Sequence, residues 1–268
     1  MQAVLSAARV SITIAFFLYA SWNDFKTREV SNTVWIVFAP VAFSLAFVET
    51  FLFGSWRLPL YGMCIGITTV FAVLLFYGGG FGGADAKALM CLALALPFQI
   101  DGPFNLPFGG TSLISQAFFP ITVFSNSVVL AGTAAIYMLL RNLLQRTSTE
   151  IRLFEGELRN ESIIKKLLVC ATGYRIPVQK LKAKWHLYPL EDLDEVGDQL
   201  GRRLLLFPKD ESREATVARL EKAVEAGRIP NAVWATPGLP MLIFITIGLL
   251  TTILVGDIIW ICVSLLLG

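Results

Sequence analysis

The chain has 268 residues, 55% hydrophobic and only 16% charged, with a formal net charge of +2 and a mean hydropathy of +0.66. A soluble domain of this size needs far more charged surface, so the composition excludes an ordinary globular protein and points to a chain that crosses a membrane several times. The small net charge gives no reason to expect a nucleic-acid partner. The scattered cysteines, Cys64, Cys91, Cys170 and Cys262, show neither a disulfide framework nor metal-ligand spacing, so no cofactor or metal is expected.

A bilayer core of about 30 Å takes roughly 20 mostly apolar residues per helix. Six stretches qualify as spans: about 3–22, 33–53, 59–77, 86–100, 117–140 and 238–256, the last running on toward 267. The fourth is short. The first carries Arg9, which is costly in mid-membrane unless it snorkels to an edge.

Between the fifth and sixth spans the character changes. Residues 141–236 hold 17 of the chain's 22 Lys/Arg and 14 of its 20 Asp/Glu. In this stretch EGELRNESIIKKLLVCATG reads as an amphipathic helix ending near Gly173, RRLLLFP as a strand, and ESREATVARLEKAVEAG as a second helix with Gly227 as its C-terminal signal. The expected fold class is an all-α polytopic membrane protein of about six transmembrane helices with a small α+β soluble insertion. The expected organisation is a five-helix membrane region over 1–140, a soluble domain over 141–236 and a sixth membrane helix within 237–268.

Orientation follows from excess Lys/Arg in cytoplasmic loops. The loop DFKTREVSN carries Lys26 and Arg28, and Lys87 follows the glycine-rich YGGGFGG. The loop containing GSWR has one Arg, and DGPFNLPFGGTSLISQ has none. The N-terminus is therefore expected outside, and the insertion on the cytoplasmic side. This parity places Asp24, just past the first span, and Asp85, at the start of the fourth, at the same face. Glu29 joins them there, whereas Glu49, Asp101 and Asp257 fall toward the other face.

Ionisable groups at membrane depth are expensive and generally functional. Two carboxylates held together do not both ionise easily, so one can act as a base while the other keeps its proton and polarises a scissile carbonyl. The plainer reading makes Asp85 a helix N-cap before AKALMCLALAL and Asp24 a solvated loop residue. The glycines Gly78, Gly80 and Gly83 match G-x-G-x-x-G, with Asp101 about 20 residues on. A nucleotide fingerprint requires a strand before it and a βαβ unit around it, and a membrane-length apolar run stands there instead. The glycines serve better as a loop that lets an extended peptide approach the carboxylates, with Gly83 the position where bulk should block cleavage but not insertion.

The stretch GGADAKAL, with Gly82, Gly83, Ala84 and Asp85, resembles the G-x-G-D signature of intramembrane aspartyl peptidases, in the form found in archaeal preflagellin (pre-archaellin) and prepilin peptidases. DFKTREVSN, with Asp24, is similar to that family's other aspartate motif. Ala84 departs from the glycine of the bacterial form, and the chain lacks the bacterial N-terminal cysteine-rich region, so methyl transfer is not expected. TPGLP, with Pro237 and Pro240, looks faintly like the proline motif of presenilin-like enzymes; the alternative is that the prolines only break the start of the last helix.

The resemblance implies Asp24 and Asp85 as catalytic residues of a multi-pass cell-membrane enzyme. Its active site and soluble domain would face the cytoplasm. Its substrates would be archaellin and type IV pilin-like precursors, cut between a short basic leader and the following hydrophobic helix. A positive leader suggests acidic docking groups, with Glu29 nearest and EDLDEVGD (residues 191–198) a further candidate beside its reading as ordinary solvated acids. Two rival functions stand beside this one. A transporter or ion-translocating protein would use the same aspartates but spread its acids along a mid-depth pathway. A serine–lysine peptidase would pair Lys87 with Ser21 or Ser31.

Overall fold

The computed structural model describes residues 1–79, 81–99, 112–149, 153–196, 199–206, 210–237 and 240–267. Four helices in it are long and apolar enough to cross a bilayer. They are α1 (Gln2–Thr27), α2 (Asn32–Phe53), α3 (Leu58–Tyr77, behind a 3-10 turn) and the first 26 residues of α6 (Phe119–Thr149). The Ser31 hydroxyl caps α2 by accepting the Thr33 N–H, and Pro59 sits where the first turn of α3 lacks an intrahelical acceptor anyway. Helices α10 (Met241–Leu254) and α11 (Ile258–Leu267) pass the same test only as a pair bent by 54°. Among the described residues the spans therefore number four, or five with the bent pair counted as one, against the six expected.

The shortfall lies in the fourth stretch. Instead of spanning 86–100, the chain forms α4 (Gly83–Ala95), 13 residues long. At 1.5 Å per residue that is about 20 Å, too short for the bilayer core. Ala86, Ala88, Leu89, Cys91, Leu92, Ala93 and Ala95 are all buried, and α1, α2, α3 and α10 pack around the helix. The alanines let neighbouring backbones approach closely. Helix α3 meets the backbone at and just past its end: Tyr61 Oη donates to Leu94 O at 2.7 Å, and Cys64 Sγ to Pro97 O at 3.4 Å.

The bend between α10 and α11 is held from α6. Asn126, fully buried, donates through Nδ2 to Thr252 Oγ1 and Gly256 O, both at 2.8 Å, and accepts the Ile258 N–H at 3.0 Å. Asp257 caps α11 by accepting the Trp260 N–H and takes a 2.6 Å hydrogen bond from Ser112, at the start of the short helix α5 (Leu113–Ala117).

The chain separates into two compact units, Met1–Ala131 with Pro240–Gly268, and Gly132–Leu239. The second holds α7 (Ile163–Thr172), α8 (Val178–Ala183) and α9 (Asp210–Glu225) with two antiparallel sheets. One sheet has the order β1 (Tyr174–Pro177), β5 (Ala232–Thr236), β2 (Tyr188–Pro189), with Arg175 opposite Trp234. The other is the hairpin of β3 (Glu191–Val196) and β4 (Gln199–Leu204). Trp234 is buried and stacks on Phe154 at 5.2 Å. The expected amphipathic helix is present as α7, but its N-terminal third is a separate 3-10 turn, Gly156–Asn160, because Ser162 caps a new start at Lys165 N. The second expected helix is α9, which ends just before Gly227 at φ 68°. The strand read from RRLLLFP is present as β4 up to Leu204, and Phe207 and Pro208 lie outside the described residues.

Candidate active site

Helix α1 does not stop where its hydropathy does. The polar turn NDFKT continues it to Thr27, so Asp24 lies in the last turn of the helix and not just past it. The helix ends at Arg28, which takes the left-handed conformation (φ 57°, ψ 16°) and donates its N–H to Asp24 O at 2.9 Å. This end is fixed against α10, where Ser21 Oγ shares a 2.6 Å hydrogen bond with Thr246 Oγ1 and donates to Leu242 O at 3.2 Å.

Asp85 is the third residue of α4, inside its first turn, and its Oδ2 accepts the Gly82 N–H at 3.0 Å. A carboxylate here also meets the positive end of the helix dipole. A side chain at Gly82 would press on this group, since a Cβ there would lie 3.2 Å from Asp85 Oδ2. A Cβ at Gly83 would meet only Phe76, at an ordinary 3.7 Å. An added Cβ is therefore tighter at Gly82 than at Gly83. Ala84 packs against the buried core. Gly79 turns the chain with φ 74°, and Gly78, Gly79 and Gly82 are exposed.

Asp24 and Asp85 are both half-buried, and α1 packs against α4. Asp85 feels the charge of Asp24, and Asp24 feels that of Arg28. Beside them Lys87 Nζ donates to Asn32 Oδ1 at 2.6 Å, tying the start of α4 to the start of α2. Glu29 is exposed in the α1–α2 link, where its carbonyl accepts from Thr27. The sequence reading missed Arg28 as a neighbour of Asp24 and Asn32 as the anchor of Lys87; the only signal was their place inside or beside DFKTREVSN.

The other membrane-region acids gather elsewhere. Glu49 pairs with Arg9 at 3.3 Å and accepts from Ser6. Arg9 is thus buried against a counter-charge. Asp257 is held by Ser112, and Asp101 lies outside the described residues, as does Gly80 of the glycine run. No run of acids leads from one group to the other among the described residues, which leaves the transporter reading without its pathway. Lys87 is bound to Asn32, Ser21 to Thr246, and Ser31 caps α2, so the serine–lysine pairing has no geometry behind it. The nucleotide reading fails as well, since helix α3 precedes the glycines. Of TPGLP, Pro240 is the N-cap of α10, while Gly238 and Leu239 lie outside the described residues.

In the second unit, EDLDEVGD does not offer two of its acids for docking. Glu191 is buried on Arg202 and accepts the Trp234 N–H at 2.8 Å; burial raises its carboxyl above the usual range, against the pull of Arg202. Asp192 pairs with Arg219 at 2.7 Å and Arg203 at 3.7 Å. Gly197 and Asp198 lie outside the described residues. Among the described residues no three His, Cys, Asp or Glu side chains converge as a metal site.

Both parts of the chain match known families. Residues 11–139, which carry both aspartates, match the type IV leader peptidase family. Residues 165–258 match the archaeal peptidase A24 C-terminus, type II. A preflagellin peptidase of Methanococcus voltae is 24% identical over 250 residues, 92% of this chain and 94% of its own length. Those of Methanocaldococcus jannaschii and Methanococcus maripaludis are each 26% identical, covering 90% of this chain and 90% and 91% of their own.

Proposed function

We propose that this chain, which belongs to the type IV leader peptidase family, is a membrane aspartyl endopeptidase that removes the basic leader from archaellin precursors and pilin-like precursors. What supports the reading is the packing of α1 on α4, with Asp24 in the last turn of the first and Asp85 in the first turn of the second. The relatives' names point to the substrate, since a preflagellin is an archaellin with its leader attached.

In the proposed reaction the ionised member of the pair takes a proton from a water held between the carboxyls. The resulting hydroxide attacks the scissile carbonyl carbon while the protonated member donates a hydrogen bond to the carbonyl oxygen. As attack proceeds that member passes its proton to the carbonyl oxygen, giving a tetrahedral diol; on collapse one diol hydroxyl returns a proton to this carboxylate, the C–N bond breaks, and the leaving amine takes the proton that the other carboxyl had removed from water. No covalent intermediate forms, and no metal is invoked. The exposed loop around Gly79 and Gly82 would receive the substrate backbone in extended form. Glu29, exposed in the α1–α2 link, would attract the leader's positive charges. Lys26, Arg28 and Lys87 at this end of the helices support a cytoplasmic site by the positive-inside rule.

The test is direct. Proteoliposomes containing the purified chain are incubated with an archaellin precursor, and the new N-terminus of the product is sequenced. A single cut between the basic leader and the hydrophobic segment is expected. An intact precursor, or cuts scattered through the hydrophobic segment, would overturn the assignment.

A further inference from the structure

Helix α7 is amphipathic the wrong way round for a water-soluble domain. Val169 and Cys170 face the interior, but so many apolar residues remain that a second face is left outward. Ile163 is 75% exposed, Ile164 70%, Leu167 49% and Leu168 44%. Contiguous apolar surface of this kind marks a contact with a protein or a membrane.

Two observations decide between those partners. The first is position. Asn142, buried near the end of the apolar part of α6, donates through Nδ2 to Cys170 O and Gly173 O, both at 2.7 Å. The C-terminal end of α7 is thus clamped to residue 142 of a helix whose membrane-length apolar stretch runs to Leu144. By length and composition, that level is the end of the apolar, membrane-length part of α6. Leu140, Leu143 and Leu144 are themselves exposed there, so the outward face of α7 continues an apolar helix surface of the kind that meets lipid.

The second observation is the groove between these helices. It has a volume of about 470 Å³ and is lined by apolar residues, Leu139, Leu143 and Leu167 among them, together with the basic Arg159 and Lys166. Lys166 Nζ reaches Arg159 O at 2.6 Å, and Lys165 is held by Glu161 at 2.8 Å. An apolar lining that also holds two basic side chains complements an acyl chain with an anionic headgroup.

We propose that α7 is an interfacial helix. It lays Ile163, Ile164, Leu167 and Leu168 into the bilayer surface, with a lipid chain in the α6–α7 groove and its phosphate against Arg159 and Lys166. This surface tethers the second unit to the membrane by a contact separate from the candidate active site, and it does not depend on the reaction assigned there.

The experiment uses the full chain reconstituted in vesicles of 70% phosphatidylcholine and 30% phosphatidylglycerol, on a Cys262→Ser background because Cys262 is the exposed native thiol. Single Ile164→Cys and Leu168→Cys variants are labelled with a small fluorophore, and Lys182→Cys, on an exposed residue of the same unit, is the control. Brominated lipid is expected to quench the labels at 164 and 168 at least three-fold more than the label at 182, and aqueous iodide is expected to do the reverse. Equal iodide access at all three sites overturns the proposal. So does label–label contact at 164, which would mean a second copy covers the face. So does lipid-independent protection that appears only when precursor is added, which would make the face a substrate site. Cleavage activity is read in parallel; an inactive protein with lipid-quenched labels leaves the interfacial helix standing while the peptidase assignment falls.

Discussion

Replacing Glu49 by Ala leaves the Arg9 guanidinium buried without its counter-charge. Nε and Oε2 are 3.3 Å apart, and the two side chains are only 8% and 10% exposed. With an effective dielectric of ~20 the attraction is about 5 kcal/mol. Part of that is offset by desolvation already paid for in the fold, but removing one partner strands the other, which costs about 3–5 kcal/mol. At roughly 2–4 °C per kcal/mol for a chain of this size, thermal unfolding in detergent should drop by about 10 °C. Arg9→Met combined with Glu49→Leu removes both charges and should recover most of the loss, because a well-packed apolar pair is nearly equivalent to a buried ion pair. Intrinsic tryptophan fluorescence during a thermal ramp measures all three proteins. A single variant that melts with the parent, or a double variant that melts lower than either single one, would refute the reasoning.

Gly82→Ala should lower the cleavage rate about 10- to 100-fold by pushing on Asp85 Oδ2 from 3.2 Å, whereas Gly83→Ala, with 3.7 Å of space, should stay within about two-fold; steady-state kinetics on one precursor separates them. Asn142→Ala removes two hydrogen bonds to Cys170 O and Gly173 O and should free α7 by about 2 kcal/mol, seen as faster amide exchange in residues 163–173 with the α9 amides unchanged. Burial pushes the Glu161 carboxyl up, but the Lys165 ammonium and the Leu204 and Ser162 N–H groups outweigh it and hold the group below the usual range. A lowered folded pKa contributes stability above the ordinary value near 4.5 and loses it as pH falls through the folded pKa. Glu161→Gln should therefore flatten the acid side of the stability–pH curve below about pH 4.5, measured by denaturant unfolding at stepped pH.

The long spans were legible because each is a run of apolar residues matched to bilayer thickness, and hydropathy reports length. It does not report depth. The ALMCLALALPF run reads as a span, yet its alanines let it pack as a short central helix that ends on Tyr61 and Cys64. Apolarity also misplaced the end of α1, since NDFKT is polar but still helical and carries Asp24 one turn inside. The aspartates could be brought together in the sequence because parity of spans fixes which ends share a face. That same parity places Arg9, early in α1, beside Glu49, late in α2, although the pairing was not drawn. The strands YRIP and AVWAT were illegible: each is four or five residues long, without alternation, and exists only because it pairs with the other. Glu191 looked like a solvated acid because its partner Arg202 lies across a hairpin that no local pattern announced.

The most direct test of the central claim is precursor cleavage by Asp24→Asn and Asp85→Asn proteins, each shown to be inserted and folded. Asparagine keeps the shape and removes the proton chemistry, so each variant is expected to lose at least about 1,000-fold in rate, and the double variant no more than the worse single one. Cleavage retained near the parental rate in either single variant would remove that carboxylate from the reaction and contradict the account.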